Sequence, residues 1–181
     1  MTLSIDISNP SGDWSMLEDA GIRSAACAAW NSASEDDEEG EVSIVLADDA
    51  FIQDLNARFR GKNAPTNVLS FPLYEFGEVE PGRRDAGDGP LSLIHGSAGV
   101  RHLGDVVLAL TTIEREAEAQ DKALSDHARH LVVHGVLHLL GWDHEAGTEA
   151  DEMEALEVEI LAGLDIANPY EVGVNPHEAA V

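Results

Sequence analysis

At 181 residues and 44% hydrophobic content, the chain is long enough for one domain with a real core and too short for two comfortable ones. A single cysteine, Cys27, excludes an intrachain disulfide framework and suits a reducing cytoplasm; the start Met1 to Asp6 has no basic patch or apolar run, so neither export by a cleavable signal nor a membrane span is expected. The formal charge of −25 opposes general nucleic-acid binding, because neutralised phosphates supply most non-specific affinity, and DNA is not expected as a partner.

Leu3 to Ser8 alternates apolar and polar residues, as a half-buried strand does. Trp14 to Trp30 reads as a helix with Leu17, Ile22, Ala25, Ala26 and Ala29 for packing, its tryptophans in the core, and Glu35 to Gly40 reads as a solvated acidic loop. Val42 to Leu46 is a β-branched strand, and Asp48 or Asp49 can cap a helix that runs to Arg60 and ends at Gly61. Thr66 to Phe71 forms a strand closed by Pro72, and Leu103 to Leu110 a fourth. Residues 77–100 read as an irregular insertion loop. Three further helices are expected: Thr112 to Lys122, Asp126 to Leu140 with Ser125 as N-cap, and Thr148 to Leu161 with Thr148 as N-cap. The last carries an apolar stripe of Met153, Leu156, Ile160 and Leu161, and a loop-like tail follows over 168–181. Strands interleaved with helices predict one domain spanning 1–181, with a small mixed sheet of about four strands packed with about five helices.

The chemistry sits in His134-Gly-Val-Leu-His138-Leu-Leu-Gly141-Trp-Asp143-His144, with imidazoles at offsets 0, 4 and 10 and a glycine at offset 7. Residues four apart share one helix face, so His134 and His138 can present two nitrogens to one ion. Gly141 can end the helix in the left-handed conformation and let His144 supply a third ligand. Three imidazoles with a fourth position for water make a catalytic zinc site, and one cysteine cannot close a thiolate shell. One Zn2+ per chain is therefore expected on His134, His138 and His144. His127 and His130 continue the same face without a ligand role, His130 being a candidate for a supporting hydrogen bond. The zinc proteases of motif H-E-x-x-H-x-x-G-x-x-H share the offsets, but Gly135 stands where their general-base glutamate would be, so peptidase activity is not expected.

The run His134 to His144 resembles the H-G-x-L-H-L-x-G-x-D-H signature of the YbeY family of bacterial metal-dependent endoribonucleases. Leu55 to Lys62 with Pro65 to Pro72 is similar to that family's L-N-x-x-[YF]-R and P-T-D-V-L-S-F-P segments, and Leu103-Gly-Asp-Val-Val-Leu108 to its L-G-D strand; together the matches span about Ser43 to Leu161. The resemblance implies an α+β sandwich with zinc at a cleft beside the sheet. It also implies a single-strand-specific ribonuclease acting in 16S rRNA 3′-end maturation and ribosome quality control, in the cytoplasm, with ribosome or small-subunit assembly components as partners. Arg60 matches the motif arginine and is the candidate phosphate clamp, since a planar guanidinium binds two phosphate oxygens at once. Asp143, next to the third ligand, is the second catalytic candidate; it is placed to orient an imidazole, fix the turn or accept a proton. Asp105 is a candidate partner for a zinc-bound histidine, with a cap or strand-edge role as the alternative, and Ser70 is a candidate cleft residue. Asn67 stands where most members carry aspartate, which puts a general base at that position in doubt.

The charge does not close the question against RNA. All ten Lys and Arg lie between Arg23 and Arg129, with Arg58, Arg60 and Lys62 grouped before Asn67. At a Debye length of about 8 Å such a group acts locally. Two other readings stay open: a zinc hydrolase of another substrate, including peptide, and a ribosome-assembly binding protein whose zinc is structural.

Overall fold

The fold is seen in a computed structural model that describes residues 2–34, 39–73, 100–142 and 147–171. Its elements in chain order are β1 (Thr2–Ser8), α1 (Asp19–Ala33), β2 (Glu39–Ala47), α2 (Asp49–Arg60), β3 (Val68–Pro72), β4 (Val100–Ala109), α3 (Leu110–Ala119), α4 (Leu124–Leu139) and α5 (Gly147–Ala162). The four strands form one mixed sheet in the order β1-β2-β4-β3, with β1, β2 and β4 parallel and β3 antiparallel to β4. The expected α+β fold with a small mixed sheet and five helices is what the described residues adopt. Among the described residues no helix is long and apolar enough to cross a membrane.

Burial on both faces explains why β2 and β4 read as continuous apolar runs. Val42, Ile44, Leu46, Val106 and Leu108 join α1 and α4 in the larger core. Val45, Ala47, Val107 and Ala109 join Ile52 and Leu55 of α2 in a smaller core on the opposite face. Strand β1, at one end of the sheet, keeps Leu3, Ile5 and Ile7 partly covered and Thr2, Ser4 and Asp6 exposed, which is the alternation its sequence carries.

Several boundaries differ from the sequence reading, each for a local reason. Trp14 precedes α1 rather than opening it: its indole Nε1 donates to Ala47 O at 3.2 Å, tying the residue to the end of β2. Glu39 and Gly40 belong to β2, paired in register with Thr2 and Leu3, and not to the acidic loop, of which 35–38 lie outside the described residues. Ser125 does not cap α4. The N-cap is Ala123 without a side-chain bond, and Ser125 lies in the first turn. Helix α5 starts at Gly147, one residue before the expected cap Thr148.

Helix α3 begins at Leu110, directly after β4, because another element caps it. Asp48 caps α2 by accepting the Phe51 N–H at 2.8 Å. Asp49 turns to α3, accepting from Thr112 N at 2.9 Å and Thr112 Oγ1 at 2.8 Å. One carboxylate thus satisfies an otherwise orphaned first-turn N–H of α3 and binds the starts of two helices together. Of the insertion loop 77–100 only Val100 is described, as the first residue of β4. The expected loop-like tail is tied down in its first part: Asn168 Oδ1 accepts from Tyr170 N at 2.9 Å, and Lys122 Nζ donates to Pro169 O at 3.0 Å.

Candidate metal centre

Helix α4 carries the candidate ligands. His134 Nε2 and His138 Nε2 stand 3.1 Å apart, one turn above each other as the four-residue spacing requires. Two nitrogens bound to one zinc at roughly 2.0 to 2.1 Å with tetrahedral angles lie roughly 3.3 to 3.4 Å apart, so the two rings are aimed at one point. Nδ1 of His134 lies 2.6 Å from Oε1 of Glu157 on α5. A carboxylate only accepts, so the proton sits on Nδ1 and Nε2 presents a lone pair. A histidine held by a carboxylate at its far nitrogen is the support that metal ligands have in other proteins. Imidazole nitrogens suit zinc, and among the described residues these two are joined by no third ligand.

The helix ends as its sequence predicts. Gly141 has φ 97°, Gly141 N donates to His138 O at 3.1 Å and Trp142 N to Leu137 O at 3.1 Å. These two bonds are a Schellman motif, which needs the left-handed conformation that glycine adopts without strain. Trp142 packs against the core. His144, the expected third ligand, and Asp143, the second catalytic candidate, lie outside the described residues.

Glu157 is the participant that sequence reasoning missed. It is fully buried, with Oε1 on His134 and Oε2 accepting from the Tyr170 hydroxyl, and His130 Nε2 stands 3.6 Å from Oε2. Burial works to raise its pKa, but the His130 and His134 imidazoles and the Tyr170 hydroxyl outweigh burial and hold it at about 2. At 3.6 Å His130 Nε2 stands beyond hydrogen-bond reach of this carboxylate, so among the described residues the supporting hydrogen bond expected of His130 is not made. A signal was present in the sequence: Glu157 lies four residues after Met153 and three before Ile160, on the apolar stripe of α5.

Gly135 shows why a glutamate is absent after the first histidine. A Cβ there would stand 2.7 Å from Val106 Cγ1 and 3.2 Å from Ser70 Oγ, so this position faces the sheet at contact distance. A longer side chain would be driven into β3 and β4 rather than toward the ion. Gly135→Ala is expected to destabilise the fold by about 1 to 3 kcal/mol through overpacking. Its denaturant midpoint checks this; an unchanged midpoint would mean the helix can simply move away.

The remaining candidates sort by sheet face. Ser70, on β3, donates from Oγ to Gly135 O at 3.1 Å and so touches the metal helix. Arg60, exposed at the end of α2, donates from Nη2 to Ser70 O at 3.3 Å. Residues 60, 70 and 135 thereby form a contact chain from α2 across the edge strand to the residue beside His134. Arg58 is engaged elsewhere, with Asp54 at 3.3 Å. Among the described residues Asp105 supports no histidine and takes neither a strand-edge nor a capping place. It is buried in central β4, in register with Ser43, whose hydroxyl it bonds, on the α2 side of the sheet. Asn67 is locked, its Nδ2 donating to Glu116 Oε2 at 3.0 Å and its Oδ1 accepting from Val68 N at 2.7 Å. The same Glu116 oxygen meets His127 Nε2 at 2.9 Å, which assigns Asn67 and His127 to a structural network.

A family model described as Endoribonuclease YbeY matches residues 13–165. A Parvibaculum lavamentivorans protein of that name is 48% identical over 168 residues, covering 93% of this chain and 85% of that protein. Another, from Bradyrhizobium diazoefficiens, is 45% identical over 152 residues, covering 84% and 75%. The solution structure of TM1509 from Thermotoga maritima is similar in fold alone, with a TM-score of 0.50 at 20% identity over 92% of this chain and 99% of that one.

Proposed function

Since this chain belongs to the Endoribonuclease YbeY family and is an endoribonuclease, we propose that it cleaves single-stranded ribosomal RNA with one zinc held by His134, His138 and His144. The observation that carries the zinc reading is the convergence of His134 Nε2 and His138 Nε2 to 3.1 Å, with Glu157 fixing the far side of the first ring. Zinc held by imidazoles supplies Lewis-acid chemistry: it acidifies a coordinated water to a pKa near 7 and polarises a phosphoryl oxygen. The chain supplies the rest. Arg60 holds the scissile phosphate, its contact with the Ser70 carbonyl drawing the guanidinium to the edge strand beside α4. Asp143 orients the third imidazole. Asn67 is no general base, because both ends of its amide are bonded.

The biological reading is maturation of the 16S rRNA 3′ end and ribosome quality control in the cytoplasm, among small-subunit assembly components. The local cations Arg58, Arg60 and Lys62 support binding of an RNA strand despite a charge of −25, at the cost of strong salt sensitivity. A zinc peptidase is the reading with least support, since position 135 faces the sheet and cannot carry a base to the ion. Incubation of zinc-loaded and zinc-stripped protein with ribosomal RNA and with casein tests the proposal. Cleavage of RNA by the loaded protein only, with casein untouched, is expected. Zinc-dependent cleavage of casein that vanishes in His134→Ala would overturn the substrate class, and RNA cleavage that survives stripping would overturn the cofactor.

A further inference from the structure

Glu157 and Tyr170 do more than a packed core requires. A carboxylate with no exposed surface is costly unless every lone pair is engaged, and a leucine would suit the Met153–Ile160 stripe better. Both oxygens of Glu157 are used instead, one on His134 Nδ1 and the other on the Tyr170 hydroxyl. Tyr170 reaches it from the segment after α5, which is anchored by buried Ile166, by the Lys122 bond to Pro169 O and by the Asn168 turn. The tyrosine ring also stands edge-on to His130, with centroids 5.9 Å apart.

We propose that Glu157 and Tyr170 are positioning residues of the metal centre, Tyr170 holding the Glu157 carboxylate in the orientation that keeps His134 protonated at Nδ1 and unprotonated at Nε2. The proposal rests on the zinc reading given above and makes the segment after α5 part of the centre. Without the carboxylate, His134 exchanges between tautomers and ring orientations, and only one of these binds metal. Burial, followed by its contact with Glu157, raises the Tyr170 pKa, so the hydroxyl stays a donor throughout the physiological range.

The test compares the parent with Glu157→Gln and Tyr170→Phe in the full chain, by zinc competition against a chromophoric chelator and by imidazole 15N spectra of the metal-free protein at neutral pH. Glu157→Gln is expected to weaken zinc binding roughly 10- to 100-fold and to mix the His134 tautomers. Tyr170→Phe, which removes one oxygen from a half-exposed ring, is expected to weaken binding on the order of 3- to 10-fold while the metal-free protein stays folded, its melting temperature lowered by the loss of one donor to a buried carboxylate. It carries the test alone if Glu157→Gln does not fold. Parent-like zinc affinity in both variants overturns the inference, as does a parent in which His134 is protonated at Nε2. A parent that takes up no zinc overturns the cofactor reading instead, and the nitrogen spectra still decide the tautomer.

Discussion

His138→Ala is expected to leave the purified protein almost free of zinc, where the parent is expected to carry one ion per chain. Zinc binding at structural sites is worth about 10 to 16 kcal/mol in total, so one ligand of three or four accounts for about 3 kcal/mol or more, at least two orders of magnitude in affinity. The loss is not offset within the helix. Gly135 and Leu139, the residues beside the two histidines, pack into the interior and cannot rotate a substitute donor into place. The fold itself should persist, because the α4 core of Leu131, Val132, Val136 and Leu137 is untouched. Metal analysis after dialysis, alongside far-ultraviolet dichroism, checks both halves. Stoichiometric zinc in His138→Ala would remove this residue from the ligand set.

Arg60→Ala is expected to lower ribosomal RNA cleavage about 100-fold or more at full zinc occupancy, the size of losing one preorganised donor to transition-state charge. Arginine cannot coordinate a cation, so zinc content should not change. Its side chain is exposed and makes a single long bond to Ser70 O, so stability should move little. Arg60→Lys should recover only part of the rate, because an ammonium keeps the charge and loses the planar fork. Arg58→Ala is the internal control. Two residues earlier on the helix it points about 200° away, and it is engaged with Asp54. Rates of the three variants at matched zinc occupancy decide the matter. Parent-like cleavage by Arg60→Ala would mean that the developing charge is held by another group.

The parts of this molecule that were legible in its sequence are those fixed by neighbours along the chain. The offset of four puts His134 and His138 on one face whatever the rest of the protein does, and the glycine at 141 ends the helix by a local preference. Strand positions were legible for the same reason, from β-branched runs and alternation. The four-stranded order and the antiparallel β3 were not, because pairing between segments tens of residues apart leaves no local mark. Asp105 was misjudged on the same ground: the motif around it says strand, and only the pairing with Ser43 says which face. Glu157 was hidden by composition. In a chain with 35 acidic residues one more glutamate on an acidic helix looks like solvated surface, and its partners lie 23 residues before it and 13 after it.

Strand β3, whose carbonyl at Ser70 receives Arg60, stands at the end of the strand order and among the described residues has one sheet neighbour, β4. An unpaired strand edge invites other chains to add to it and aggregate. Here the strand is five residues long and its last residue, Pro72, has no N–H to offer. A second copy would find too few donors and acceptors for a lasting ladder, while a guanidinium takes up a carbonyl it would need. Among the described residues the sheet edge beside Arg60 is thus short and hard to extend, a liability contained by length and by one proline.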